Sequence, residues 1–123
     1  MRKPGTDAGN VQMSDVLCDF CRRPWTEDVP MIEGHQGSCL CARCLAVAYT
    51  EVVLGGRSAG PSRYKCPMCL EGEADREALG RVGEPGWQSP VHPEAVVCRR
   101  CIELAARQLE KDEDYGWRRP GQE

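Results

Sequence analysis

The sequence has little from which to build an ordinary apolar core: aromatic residues make up 6% of its 123 positions, while 13 positions are glycine. A chain so composed needs staples beyond hydrophobic burial. No stretch approaches the roughly 18 consecutive apolar residues of a membrane span, and Met1 to Ser14 lacks the apolar segment of an export signal. Positive charge is not in excess. The formal net charge is −3 with the thiols neutral, and it becomes about −7 if eight thiolates hold two divalent cations. Such a particle is a poor non-specific ligand for nucleic acid. Histidine occurs only twice. That leaves little material for a Ser/His/Asp or Cys/His arrangement, and no enzyme activity is expected.

What is plentiful is cysteine. Eight of the nine fall into four CxxC pairs, Cys18/Cys21, Cys41/Cys44, Cys66/Cys69 and Cys98/Cys101. In the second and fourth pairs the last cysteine opens an apolar, helix-periodic run. A tight turn that converges two sulfurs, followed by a helix N-terminus that favours their negative charge, suits tetrahedral zinc. Paired CxxC spacing without an export signal reads as metal binding in a reducing cytoplasm rather than as disulfides.

An offset of 57 residues superimposes Cys41 on Cys98 and Cys44 on Cys101, and with them Leu45 on Ile102, Ala48 on Ala105 and Val52 on Leu109. These are positions i, i+3 and i+7 of a helix, so the two helices carry matching apolar stripes. Sequential pairing puts Cys18, Cys21, Cys41 and Cys44 on a first zinc and Cys66, Cys69, Cys98 and Cys101 on a second. A cross-brace joining Cys18/Cys21 to Cys66/Cys69 would explain neither the repeat nor the linker between its halves.

The expected organisation is therefore a small zinc-stabilised α+β protein with two tandem modules, each a knuckle, a β-hairpin and a helix. Residues 1–14 read as a disordered tail, 15–54 as the first zinc module, 55–65 as a Gly/Ser/Pro linker, 66–111 as the second module and 112–123 as a charged tail that frays. Within them, helices are expected from about Ala42 to Leu54 and from about Arg99 to Lys111. Asp75 to Val82 reads as a short helix and Glu84-Pro85-Gly86 as a turn. Trp87 is expected to cover the second module's small core, and Tyr115 and Trp117 are the tail residues able to dock back. The offset places Cys39 on Val96, so Cys39 reads as a small buried hydrophobe. His35 and His92 read as surface-turn residues, because six strand residues at about 3.3 Å each would carry them away from the metal.

The first copy, Leu17 to Val53, resembles the N-terminal zinc-binding domain of the ClpX unfoldase. The likeness rests on Cys18-Asp19-Phe20-Cys21, Met31-Ile32-Glu33-Gly34 and Leu40-Cys41-Ala42-Arg43-Cys44-Leu45. It implies a treble-clef fold, structural zinc on the four cysteines, dimerisation and recruitment of protein partners. The second copy matches in its CxxC pairs and final helix. Two departures stand out. Arg22 and Leu70 occupy the place after the knuckle where the family usually has glycine, and no GxxxxGK[ST] motif is present to supply an ATPase. The four-cysteine finger is also similar to that of the DksA/TraR transcription regulators, whose long helical hairpin is missing. The resulting expectation is an interaction or adaptor module with protein partners. A dimerising domain written twice in one chain implies self-association, or an intrachain pseudo-dimer with Leu45, Ala48 and Val52 facing Ile102, Ala105 and Leu109. The alternative is a nucleic-acid-binding or transcription-associated zinc finger using Arg99, Arg100, Arg107, Arg118 and Arg119.

Overall fold

A computed structural model describes residues 1–55 and 63–121 and shows a small mixed helix–strand protein. Both halves run in the same order. After the first knuckle come β1 (Met31–Glu33), β2 (Cys39–Cys41) and α1 (Ala42–Ala48). After the second come a short α2 (Glu73–Ala78), then β3 (Gly86–Gln88), β4 (Val96–Cys98) and α3 (Arg99–Glu110). Each hairpin is an antiparallel pair, with Met31 opposite Cys41 and Glu33 opposite Cys39, and with Gly86 opposite Cys98 and Gln88 opposite Val96. Cys39 and Val96 thus hold the same place, as the offset of 57 predicts. The loop between the strands is two residues longer in the second hairpin, so on the leading strands the offset is 55. There Ile32 matches Trp87, and Gly34 matches Ser89.

The two long helices start because a cysteine caps each of them. The sulfurs of Cys41 and Cys98 accept the backbone N–H of Cys44 and Cys101 at 3.4 Å, satisfying a donor that has no partner inside the helix. The first helix does continue to Leu54, but Tyr49–Leu54 is a π-helical turn. Three of those six residues are β-branched, and the Thr50 hydroxyl donates to the Ala46 carbonyl at 2.9 Å in competition with the α-helical ladder. The wider turn buries Tyr49 and Val52. It stops at Gly55, where a Cβ would stand 2.8 Å from the Glu51 carbonyl oxygen.

One apolar core runs through both halves. The first helix and its π-helical turn lie against α3. Leu45, Ala48, Val52, Ile102, Ala105 and Leu109 are all buried there, none more than 4% exposed. The second-last residue of each knuckle loop, at equivalent places, accepts one bond across the seam from the other module's hairpin loop. The Ser89 hydroxyl donates to the Phe20 carbonyl at 2.5 Å, and the His35 N–H donates to the Met68 carbonyl at 2.9 Å. Phe20 and Met68 are the third residues of their respective knuckles.

Several expectations change here. Trp87 does more than cover its own module: its ring packs on Phe20 at 5.8 Å, and its Nε1–H donates to Glu51 at 2.8 Å. Opposite Val97 in β3, it has the first module's aromatic side chain as its neighbour. The helix expected at Asp75 to Val82 begins two residues earlier, because the Asp75 carboxylate accepts the Gly72 N–H at 2.8 Å and so caps the turn. It ends at Ala78, ahead of Gly80 at φ +78°. Gly86 is a strand residue rather than the end of a turn, since Val96, Tyr64 and the Val97 carbonyl leave no room for a Cβ there.

Of the linker expected at 55–65, residues 56–62 lie outside the described residues. Tyr64 belongs with the second module: the buried Arg76 stacks over its ring at 3.7 Å and donates to its carbonyl at 2.7 Å. The chain after Asp112 lies back on the body of the protein through Trp117, one of the two tail residues read as able to dock. Trp117 packs on the core, and Arg119 grips Glu110 and lies over the Tyr49 ring, because the last turn of α3 offers it a carboxylate. At the other end, the Met1 amino group meets the Leu17 carbonyl at 2.8 Å and Asp19 at 2.7 Å, and Arg2 pairs with Val16, so the first two residues lie against the start of the first module.

Candidate metal centres

Each knuckle turns the chain tightly around two sulfurs. In the first, Arg22 N–H donates to the Cys18 carbonyl at 2.9 Å and Cys18 N–H donates to the Arg23 carbonyl at 3.0 Å. In the second, Leu70 N–H meets the Cys66 carbonyl at 2.7 Å and Cys66 N–H meets the Glu71 carbonyl at 2.9 Å. Closing these loops forces Arg22 and Leu70 into the left-handed region, with φ of +63° and +64°. A non-glycine residue there costs about 1 kcal/mol. The turn is kept although glycine is not.

The eight cysteines gather into two quartets in sequential pairing: Cys18, Cys21, Cys41 and Cys44 in one, and Cys66, Cys69, Cys98 and Cys101 in the other. Within each, the sulfurs all lie within 4.8 Å of one another. Separations include 3.8 Å (Cys21–Cys41) and 3.9 Å (Cys18–Cys44) in the first, and 3.7 Å (Cys69–Cys98) and 3.9 Å (Cys66–Cys101) in the second. Four thiolates at about 2.3 Å from a tetrahedral metal stand about 3.8 Å apart. These separations are close to that geometry, and each quartet could hold one metal ion.

Their electrostatics lead to the same conclusion. Hydrogen bonds from the Cys41 and then the Cys44 thiol pull the Cys18 thiol far below its ordinary value, while Cys44 is pushed far up and Cys41 up to about 12 by their contacts with Cys18. In the second quartet Cys101 and Cys98 pull Cys66 down to about 4, and Cys101 is pushed far up, chiefly by Cys66. Four thiols this close cannot all ionise by themselves; a divalent cation removes the conflict. Backbone N–H groups are already aimed at the sulfurs. Cys18 accepts from Phe20 and Cys41, and Cys66 accepts from Cys98, each at 3.4 Å.

None of the nine cysteines is in a disulfide. Cys39 stands outside both quartets, buried, with its sulfur 3.8 Å from the Gly37 carbonyl and its thiol pushed up by desolvation. His35 is exposed at the hairpin tip, and His92 sits 3.9 Å from Glu94; neither joins a quartet. The arginines singled out for a nucleic-acid role are largely engaged within the chain. Arg99 meets Glu103 at 3.1 Å, Arg100 meets Glu71 at 2.8 Å, and Arg119 holds Glu110. Glu71 also takes Arg81, which grips Glu84, so a short ion-pair network braces the second knuckle.

Sequence reasoning did not find Arg76, Ser89 or the Glu51–Trp87 bond. An arginine in a short charged helix reads as surface. Only the hairpin register, which shows Ser89 in the place of Gly34, signals the seam.

These features define a protein of two packed modules, each with a cysteine quartet able to hold a metal. No known protein family, curated protein or solved structure matches the chain. Among the described residues no helix is long and apolar enough to cross a membrane.

Proposed function

We propose that the chain is a zinc-stabilised protein–protein interaction module, with one structural zinc ion in each quartet and no catalytic role. Four thiolates are the ligand set of closed structural zinc sites, whereas catalytic zinc keeps a position open. The knuckle, hairpin and helix order supports a treble-clef reading. The resemblance to the ClpX zinc-binding domain supports a recruiting or adaptor role, and the matched seam contacts support reading the chain as an intrachain pseudo-dimer. Thiolates must stay reduced to hold zinc, which favours the cytoplasm.

The observation that carries the interaction reading is on the outer helix faces. Val47 and Leu104 hold equivalent places on α1 and α3, and they are 46% and 43% exposed. An exposed aliphatic side chain repeated at the same position of both modules supports a contact with a partner there, one on each module. A nucleic-acid role has less support, because Arg99, Arg100 and Arg119 are engaged by carboxylates.

The test is affinity capture from cell extract by the zinc-loaded chain and by a Val47→Asp/Leu104→Asp variant of the same zinc content. A defined protein partner lost from the variant is expected. Capture of nothing, or of the same proteins by both, would overturn the reading.

A further inference from the structure

The seam between the halves ends differently on its two sides. On one side Trp87 fills the space beside the first knuckle, with its ring on Phe20 and its Nε1–H on Glu51. On the other side each of these places has a counterpart. Ile32 stands where Trp87 does, Met68 for Phe20, Ala105 for Ala48 and Gln108 for Glu51. Ile32 is far smaller than tryptophan, and a cleft of about 380 Å³ is left open between β1, the second knuckle and α3. Leu104 forms part of its rim.

We propose that this cleft takes a tryptophan side chain presented by a partner polypeptide, as the equivalent place on the other side takes Trp87. The filled side specifies the occupant's chemistry. Its floor is apolar and buried, formed by Ile32, Met68 and Ala105. The Met68 thioether suits the flat face of an aromatic ring. Gln108 supplies a neutral acceptor for the indole N–H where Glu51 supplies a charged one. The volume is at the small end for ligand sites, suited to one large side chain rather than to a cofactor. The cleft is also continuous with the seam that joins the modules, so a partner seated there extends an interface the chain already uses. This inference rests on the interaction-module reading and names the contact through which it acts.

The experiment is a titration of the full-length, metal-loaded protein with N-acetyl-tryptophanamide, followed by amide resonances, with N-acetyl-alaninamide as control. Saturable shifts are expected at Gly34, Met68 and Leu104 and at the Gln108 side-chain amide. Binding should be at least about tenfold weaker in Ile32→Trp, which fills the cleft from within, and in Leu104→Glu, which charges its rim. Leu104 is surface-exposed, so that variant keeps its fold and decides the matter if Ile32→Trp does not fold. No saturable shift at these residues, equal shifts with the alanine control, or binding undiminished in Leu104→Glu would overturn the proposal. A captured partner without indole binding leaves the interaction reading standing alone. Indole binding without a captured partner shows that the cleft accepts an indole but overturns the interaction reading and, with it, the partner that would present one.

Discussion

Trp87→Ala is the substitution on which the packing of the two halves most depends. Trp87 is 4% exposed, its ring lies 5.8 Å from that of Phe20, and its Nε1–H reaches Glu51 at 2.8 Å. Truncating a buried tryptophan costs about 3–5 kcal/mol, of which an aromatic pair accounts for about 0.5–1.5. The bond to Glu51 adds about 0.5–1.5 kcal/mol, at the low end because that carboxylate is solvated. A small domain has about 5–15 kcal/mol in all, so the variant should sit near the edge of stability. Trp87→Phe keeps an aromatic ring but loses the donor, worth about 0.5 kcal/mol here, and part of the indole's volume, so its loss should fall between that of the control and that of Trp87→Ala. The assay is urea unfolding at fixed free zinc, since bound metal itself shifts the midpoint. Val91→Ala, at a site 66% exposed, serves as a control expected to change stability by less than about 0.5 kcal/mol. Because the indole bridges the halves, amide shifts should appear at Phe20 and Val52. A loss below about 1 kcal/mol, or shifts confined to residues 66–111, would refute the bridging role.

Three further outcomes follow from the same contacts. In Gly34→Ala a new methyl would lie 2.7 Å from the Met68 backbone, so a loss of about 1–3 kcal/mol is expected in thermal melts. Gly72→Ala, whose nearest atom would be 3.6 Å away, should melt almost as the parent does, and equal melts for all three chains would remove the close approach. Arg119 holds the Glu110 carboxyl below its usual range, so the pair contributes above the ordinary glutamate value of about 4.3 and is lost as pH falls through the lowered one. Glu110→Gln at neutral pH should therefore release the tail and increase the exposure of Trp117 to an aqueous quencher; unchanged quenching would show that the pair does not hold it. Binding to mixed-sequence DNA or RNA at physiological salt should be about 10⁻⁴ M or weaker, and sub-micromolar affinity with a steep salt slope would favour the alternative function.

Much of this architecture was legible in the sequence because short-range chemistry fixes it. A CxxC turn can hardly do other than converge its two sulfurs, and the i, i+3, i+7 stripes mark which helix faces are buried. Cys39 followed from its alignment with Val96, which the hairpin register reproduces. What escaped depends on residues far apart in the chain. Trp87 finds its acceptor 36 residues away at Glu51, and Ser89 reaches back 69 residues to Phe20. No periodicity within one element reports such a contact. Trp117 was legible as a residue able to dock back, but its anchor was not, because it is an arginine two residues later meeting the end of α3. The π-helical turn at Tyr49–Leu54 was hidden because its apolar spacing satisfies an α-helix almost as well.

In the proposed function a closed four-sulfur zinc site in each module holds the fold together. Native mass spectrometry of the full-length chain, paired with X-ray absorption at the zinc edge, tests it most directly. The account predicts two zinc ions per chain, each with four sulfurs at about 2.3 Å, and the same count in Cys39→Ser. Fewer than two metals, nitrogen or oxygen in either shell, or a fall to one on replacing Cys39 would contradict it.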